Sequence, residues 1–250
     1  MLKEERYDKI LEILDNENYA SASSLSQRLY VSLPTIRRDL AELSRRSLIV
    51  RSHGGATKSV AGCSVTPISF RKSLNIAAKR KLAKKASELI GDNEIIFIDA
   101  STTALQMADY ISQDKAITVV TNSIPLCTLL MKRGIKSYCT GGEMQENSLC
   151  YAGSYAESFV RNFNFDKMFF SCHCITKNGI IADTAQEETN LRKVVLNQCR
   201  SSVFLCDDSK LGLGATYNLI SADGVNCIIT NTQNINDFVN KKEDCKIIVV

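Results

Sequence analysis

Between the charged positions of Leu2 to Glu17, the apolar residues Tyr7, Ile10, Leu11 and Leu14 recur at three- and four-residue steps, the spacing of an amphipathic helix. Asn16 to Ala20 interrupts that pattern, and a short second helix is expected over Ser23 to Tyr30 with Leu25 and Leu29 on one face. Val31 and Ser32 make a tight turn. Ser32 is a good N-cap for a third helix, and Pro34 falls in its first turn, where no amide donor is needed. In that helix Leu33, Ile36, Leu40 and Leu43 fall within about 80° of one another at 100° per residue, so they form the buried stripe. Arg38 and Arg45 point away from the stripe, Thr35, Ala41 and Glu42 lie beside them, and Arg37 is on the flank. Asp39 is expected to tie the helices together or to balance Arg37.

After the third helix, Leu48-Ile49-Val50-Arg51 is β-like and Ser52-His53-Gly54-Gly55 makes a turn, which gives a small wing. Helix, short helix, tight turn and capped helix is the helix-turn-helix arrangement, whose last helix enters the DNA major groove. Duplex DNA is therefore the expected partner, with Ser32, Thr35, Arg37, Arg38 and Arg45 on the reading helix. Arg51 and His53 are placed to reach phosphate or the minor groove from the wing. A protein-interaction module with a solvated basic face is the plainer alternative.

Thr57 to Ser69 is rich in small residues, holds Pro67 and has no clear period, so it reads as a linker. A helix is expected over Ser73 to Ile90, with Ile76, Leu82, Ala83, Ala86 and Leu89 inward and Lys79, Arg80, Lys81, Lys84 and Lys85 outward. Beyond it, short apolar runs alternate with helical segments: strands over 95–99, 117–121 and 135–139, helices over 102–111 and 124–132. Further strands are expected over 167–172, 202–206, 227–230 and 246–250. That alternation implies βαβ units and a mainly parallel sheet. Ligands of such sheets sit beyond the carboxyl ends of the strands. Three loops there carry candidate binding groups: Asp99-Ala100-Ser101-Thr102-Thr103, Thr121-Asn122-Ser123, and Gly141-Gly142-Glu143. The first is expected to open a helix and offer amides and hydroxyls to a phosphate. Each Ser or Thr is also a possible helix cap.

Charge sharpens this division. The net charge of the 250-residue chain is +4, but residues 1–90 hold 17 Lys and Arg against 9 Asp and Glu, while residues 91–250 hold 14 against 18. Only the first part suits a polyanion. Nine of the ten cysteines follow residue 90 and sit in or beside apolar runs, so they read as small packed hydrophobes rather than a disulfide framework. The longest apolar runs are about six residues, too short for a membrane span, and a cytoplasmic protein is expected. In Cys172-His173-Cys174 the two thiols fall on one side of a strand and His173 on the other, with no second Cys/His pair at usual spacing, so no metal and no cofactor are expected.

The run Val31-Ser32, Thr35-Ile36-Arg37-Arg38-Asp39-Leu40 and Arg51-Ser52-His53-Gly54-Gly55-Ala56 resembles the DeoR family of bacterial transcription regulators. The likeness continues in the strand-end loops and in Phe165-Asp166-Lys167, Gly179, Glu187-Glu188 and Asp207-Asp208-Ser209-Lys210, over roughly residues 3–232. It implies a multidomain chain: a small α+β winged helix-turn-helix domain over 1–57, a linker over 58–72, and an α/β sensor domain over 73–250. The sensor fold of that family is similar to ribose-5-phosphate isomerase and the CoA-transferase-like fold. The resemblance further implies a homo-oligomer, dimer or tetramer, that binds operator DNA and associates with the bacterial nucleoid. A phosphorylated sugar would release it, bound by Asp99, Ser101, Thr102, Thr103, Thr121, Asn122, Ser123, Gly141, Gly142, His173, Glu188 and Lys210. Repression of a sugar catabolic operon is the family's usual role.

Three positions depart from the family. Ser47 stands where Gly usually separates the reading helix from the wing. Ala100-Ser101 replaces Ser-Gly in the first loop, which removes a hydroxyl and a permissive backbone position. Ser171-Cys172-His173-Cys174 replaces Gly-Ala-Asp-Gly, so a histidine occupies the place of a pocket acid. The alternative function is a sugar-phosphate isomerase with an appended DNA-binding domain. It needs a carboxylate base and polarising partners, for which Glu188 and Lys210 are candidates.

Overall fold

The computed structural model describes residues 2–17, 19–45, 48–52, 54–58, 68–239 and 245–250. These form two compact units, Met1–Leu74 and Asn75–Val250.

The first unit runs α1 (Lys3–Glu17), β1 (Tyr19–Ser21), α2 (Ala22–Leu29), α3 (Leu33–Arg45), β2 (Ile49–Ser52), β3 (Gly55–Lys58) and α4 (Ile68–Ser73). The apolar stripes of α1, α2 and α3 meet in one core of Tyr7, Ile10, Leu14, Leu25, Leu29, Ile36, Leu40 and Leu43, closed by Ile49 of the wing. Each such side chain contributes about 1.5–3 kcal/mol by leaving water. Ser21 caps α2 by accepting from the Ser24 amide at 3.0 Å, and Ser32 accepts from the Thr35 amide at 3.4 Å as the cap expected for α3. Asp39 is buried and accepts from Arg6 Nε at 2.5 Å and Nη2 at 2.9 Å, so it ties α3 to α1.

The break expected over Asn16 to Ala20 runs into β1, which pairs antiparallel with β3, and β3 pairs with β2, giving sheet order β1-β3-β2. A three-residue strand has no periodicity to read; its partner supplies it. Gly55 is forced by that pairing, because a Cβ there would lie 2.3 Å from the Ala20 carbonyl oxygen. Of the linker read over Thr57 to Ser69, Thr57 and Lys58 belong to β3 and Ile68 begins α4. Residues 59–67, with His53 and Ser47, lie outside the described residues.

The second unit runs α5 (Ile76–Glu88), β4 (Ile95–Ile98), β5 (Thr118–Thr121), α6 (Ile124–Lys132), β6 (Ser137–Cys139), β7 (Glu143–Gln145), β8 (Cys150–Ala152) and α7 (Ser154–Val160). It continues with β9 (Phe165–Phe170), β10 (Cys174–Ile175), β11 (Ile180–Asp183), α8 (Gln186–Leu196), β12 (Cys199–Cys206), β13 (Tyr217–Ser221), β14 (Cys227–Thr230) and β15 (Lys246–Val249). Seven strands form one sheet in the order β15-β14-β12-β9-β4-β5-β6, and every pair in it is parallel. Both faces are covered, as a parallel sheet requires. Ile96 and Ile98 of β4 join one core layer with Leu82, Ala86, Leu126 and Leu130, while Phe97 between them joins the other with Phe170, Leu191 and Val195. A smaller antiparallel sheet, β10-β11-β13, and the hairpin β7-β8 complete the unit.

Two expectations fail here for local reasons. The helix read over Ser73 to Ile90 is broken at Asn75, which takes a left-handed conformation (φ 50°) while its Nδ2 donates to Asp207 Oδ1 at 3.2 Å and Ser209 Oγ at 2.9 Å. The helix read over 102–111 is a 3-10 helix over Ala104–Asp109, closed by Ser101, whose Oγ accepts from the Ala104 amide at 3.2 Å. The nine described cysteines are all free thiols, and burial pushes Cys206 up to about 12 and Cys174 to about 11. No helix among the described residues is long and apolar enough to cross a membrane.

Candidate functional site

The first unit presents α3. Arg37 and Arg38 are exposed on it with no partner among the described residues, and Thr35 is half-buried. The Ser32 and Thr35 hydroxyls lie 2.8 Å apart at the start of the helix. Arg45 is exposed too, but its guanidinium donates to Glu42 at 3.0 and 2.8 Å, one turn back. The sequence placed these two side by side without foreseeing the pair. Arg51 is exposed on β2.

The second unit has a topological switch. From β4 the chain winds through β5 to β6 on one side, and from β9 through β12 and β14 to β15 on the other. Open α/β sheets bind ligands at this crevice, beyond the carboxyl ends of the two central strands. Asp99 follows β4 and Ser171 follows β9, and the Ser171 amide donates to Asp99 Oδ2 at 3.4 Å across the switch.

Asp99 is buried and is the hub of a charged cluster. Its Oδ2 accepts from Arg192 Nε at 2.9 Å. Arg192, also buried, donates through Nη1 to Asp183 Oδ2 at 2.9 Å and through Nη2 to Glu188 Oε2 at 3.2 Å. The buried Ser148 hydroxyl donates to the other Glu188 oxygen at 2.6 Å. Burial pulls the Arg192 guanidinium down, but the three carboxylates around it hold it well above its ordinary range. Burial likewise raises the Asp183 carboxyl, yet Arg192 and the Thr184 amide outweigh that and hold it below the usual carboxylate value. One guanidinium fixed by three carboxylates leaves the end of the sheet with an excess of oriented acceptors, suited to hydroxyl donors.

A second cation meets the first loop at Thr102. Lys79 of α5 is buried and donates from Nζ to Thr102 Oγ1 at 3.0 Å. The expectation that Lys79 faces outward is therefore wrong, and its own helical position gives the reason. It lies three, four and seven residues before Leu82, Ala83 and Ala86, in the middle of the buried stripe. Lys210, half-buried after β12, donates to the Cys172 carbonyl.

The remaining candidate residues are placed as follows. Thr102, Thr103, Thr121, Asn122 and Ser123 are all buried. Ser101 is buried as well, and its amide donates to Asp99 Oδ1 at 3.0 Å, so the side chains of the first loop take up one of its own amides and that of Ala104 just after it. Thr121 and Ser123 are also locally satisfied: Thr121 Oγ1 accepts from the Ser123 amide and Ser123 Oγ caps α6 at the Leu126 amide. Asn122 Nδ2 donates to the Tyr151 carbonyl at 3.0 Å, but its Oδ1 and the hydroxyl of Thr140, after β6, are buried with no partner among the described residues. Gly141 and Gly142 both have positive φ, and a Cβ on Gly142 would lie 2.7 Å from the Ala152 carbonyl oxygen. His173 is exposed, between buried Cys172 and Cys174. Among the described residues no three His, Cys, Asp or Glu side chains converge as a metal would need.

Sequence reasoning missed Lys79, Asp183, Arg192, Ser148 and Thr140. For Arg192 a signal exists: it stands four residues after Glu188 and three before Val195 on one face of α8, a charged pair set into an apolar row.

Residues 74–250 match the family described as DeoR C terminal sensor domain, and residues 6–84 match the DeoR-like helix-turn-helix domain. The chain is 31% identical over 231 residues to the HTH-type transcriptional regulator GlpR of Haloferax volcanii, covering 92% of this chain and 91% of that one. It is 28% identical over 232 residues to the glycerol-3-phosphate regulon repressor of Escherichia coli, covering 92% of each. Among solved structures, ribose 5-phosphate isomerase A of Methanocaldococcus jannaschii is similar at a TM-score of 0.42 and 17% identity, over 55% of each chain. Two family matches that together span nearly the whole chain, and relatives alike over nine-tenths of their length, establish that this chain belongs to the DeoR family of helix-turn-helix transcription regulators.

Proposed function

We propose that the chain represses a sugar or sugar-phosphate catabolic operon as a homo-oligomer and leaves its operator when a phosphorylated sugar binds at the sheet's switch point. In this reading Ser32, Thr35, Arg37, Arg38 and Arg51 meet DNA, with Arg45 recruited once Glu42 releases it. The observation that carries the effector assignment is the placement of charge: Lys79 meets the first loop at the Thr102 hydroxyl, for a phosphate, and the Asp183, Glu188 and Arg192 cluster meets it at Asp99, for sugar hydroxyls. The unpaired oxygens of Asn122 and Thr140 supply further acceptors. Repression is supported by the similar glycerol-3-phosphate regulon repressor.

The test uses a duplex that the full chain enriches from a random-sequence library. Ribose 5-phosphate, fructose 1-phosphate and glycerol 3-phosphate, each beside its unphosphorylated counterpart, are titrated into the complex. One phosphorylated compound is expected to release the duplex while its counterpart does not. If phosphorylated and plain forms act alike, the phosphate assignment fails. A reporter gene placed behind the enriched duplex decides the sign: expression that falls when the protein is removed overturns repression.

A further inference from the structure

Tyr30, between α2 and α3, is placed where stability alone has no use for a tyrosine. Its backbone is left-handed (φ 54°, ψ 43°), and the Tyr30 amide donates to the Gln27 carbonyl while the Val31 amide donates to that of Ser26 at 3.1 Å. That pair of bonds is the Schellman ending of a helix, and its left-handed position is usually filled by glycine, sometimes by asparagine, because a Cβ there crowds the following carbonyl. Here the position carries one of the largest side chains. The strain is not recovered by packing, since Tyr30 is 95% exposed and is the most exposed large hydrophobic residue described. An amphipathic ring with a donor hydroxyl, strained in backbone and bare to solvent, is two residues from Ser32, which caps the helix carrying Arg37 and Arg38.

We propose that Tyr30 is a DNA contact: its phenol hydroxyl donates to a backbone phosphate of the half-site that α3 reads. This rests on the DNA-binding reading of the first unit. Tyrosine is among the side chains that position proteins on duplexes through phosphate oxygens, and such contacts fix register without reading sequence. A neutral donor also displaces no counterion, so its loss weakens binding without changing the salt dependence. Arginine loss changes both.

The experiment compares full-length wild type, Tyr30→Phe, Tyr30→Asn and Arg38→Ala on the duplex enriched by the wild type and on a scrambled duplex, at several salt concentrations. Tyr30→Phe and Tyr30→Asn are each expected to weaken binding roughly five- to tenfold on both duplexes, with the slope of log K against log salt kept. Tyr30→Asn, freed of strain, is expected to melt no lower than wild type. Wild-type affinity in both Tyr30 variants overturns the proposal. So does a loss confined to Tyr30→Asn, which would assign the role to the ring rather than the hydroxyl, or a lowered melting temperature in Tyr30→Asn, which would make Tyr30 structural. A wild type that enriches no duplex fails the DNA-binding reading itself, a different result.

Discussion

Arginine and lysine are used in two opposite ways in the two units. On the first, Arg37, Arg38 and Arg51 are exposed and unpaired among the described residues. On the second, Arg192 and Lys79 are buried, each held by named acceptors at hydrogen-bond distance. An exposed cation is cheap to keep and acts at range, but salt screens it within about 10 Å, which suits a long polyanion. A buried cation is costly unless partners compensate it, and those partners fix its position, which suits a small ligand that must be told from its neighbours. The same side chains thus serve attraction in one unit and geometry in the other.

The comparison breaks most sharply at Arg192. Arg192→Met leaves the buried Asp99 and Glu188 and the half-buried Asp183 without their cation and is expected to cost about 3–5 kcal/mol, read as a lower urea midpoint for the full chain. The pH dependence has a definite sign. In the wild type the depressed Asp183 carboxyl contributes stability that is present above its unfolded value, about 3.9, and is lost as pH falls through its lower folded value. In the variant, burial without the guanidinium raises that carboxyl, so protonation relieves it. The stability deficit of Arg192→Met is therefore expected to narrow between pH 7 and pH 4; a deficit that holds constant would show that Asp183 does not depend on Arg192.

Lys79→Met comes next. It removes a desolvated charge and keeps the stem, so folding is expected to change little, while affinity for the releasing sugar phosphate falls roughly 10- to 100-fold. Thermal shift against the same three phosphates measures both. If the variant keeps its ligand response, Lys79 is a structural partner of Thr102 and the two-regime picture loses its phosphate end.

Arg38→Ala should reduce the salt slope by about 0.9 if the contact is a phosphate, or cost about 1–3 kcal/mol at one base position if it is a guanine. Unchanged binding in a gel shift removes it from the interface. The smallest effect belongs to Glu42→Gln, which frees the exposed Arg45 from its ion pair. A slight gain in duplex affinity at low salt, vanishing at high salt, is expected from fluorescence anisotropy; no gain at any salt leaves Arg45 out of the contact.

Much of the first unit is legible in the sequence because its helices bury one face each. The 3.6-residue period marks Ile36, Leu40 and Leu43, and Ser32 marks where their helix begins. The strands of the second unit are legible for a related reason: covered on both sides, they read as unbroken apolar runs such as Ile95–Ile98. What escapes is whatever depends on a distant partner. β1 exists because β3 pairs with it, and Arg192 is buried because Asp99, 93 residues away, receives it. Lys79 shows a different failure: its wheel position pointed inward, but the surrounding charges of Arg80, Lys81, Lys84 and Lys85 suggested a solvated face.

Asn75 opens the second unit, and its side chain is bonded to Asp207 and Ser209, in the loop that also carries Lys210. The start of this unit is thus tied to the loop after β12 rather than to the core beneath the sheet. Two side-chain hydrogen bonds form the mooring, and neither belongs to the pairing that holds the seven strands in register.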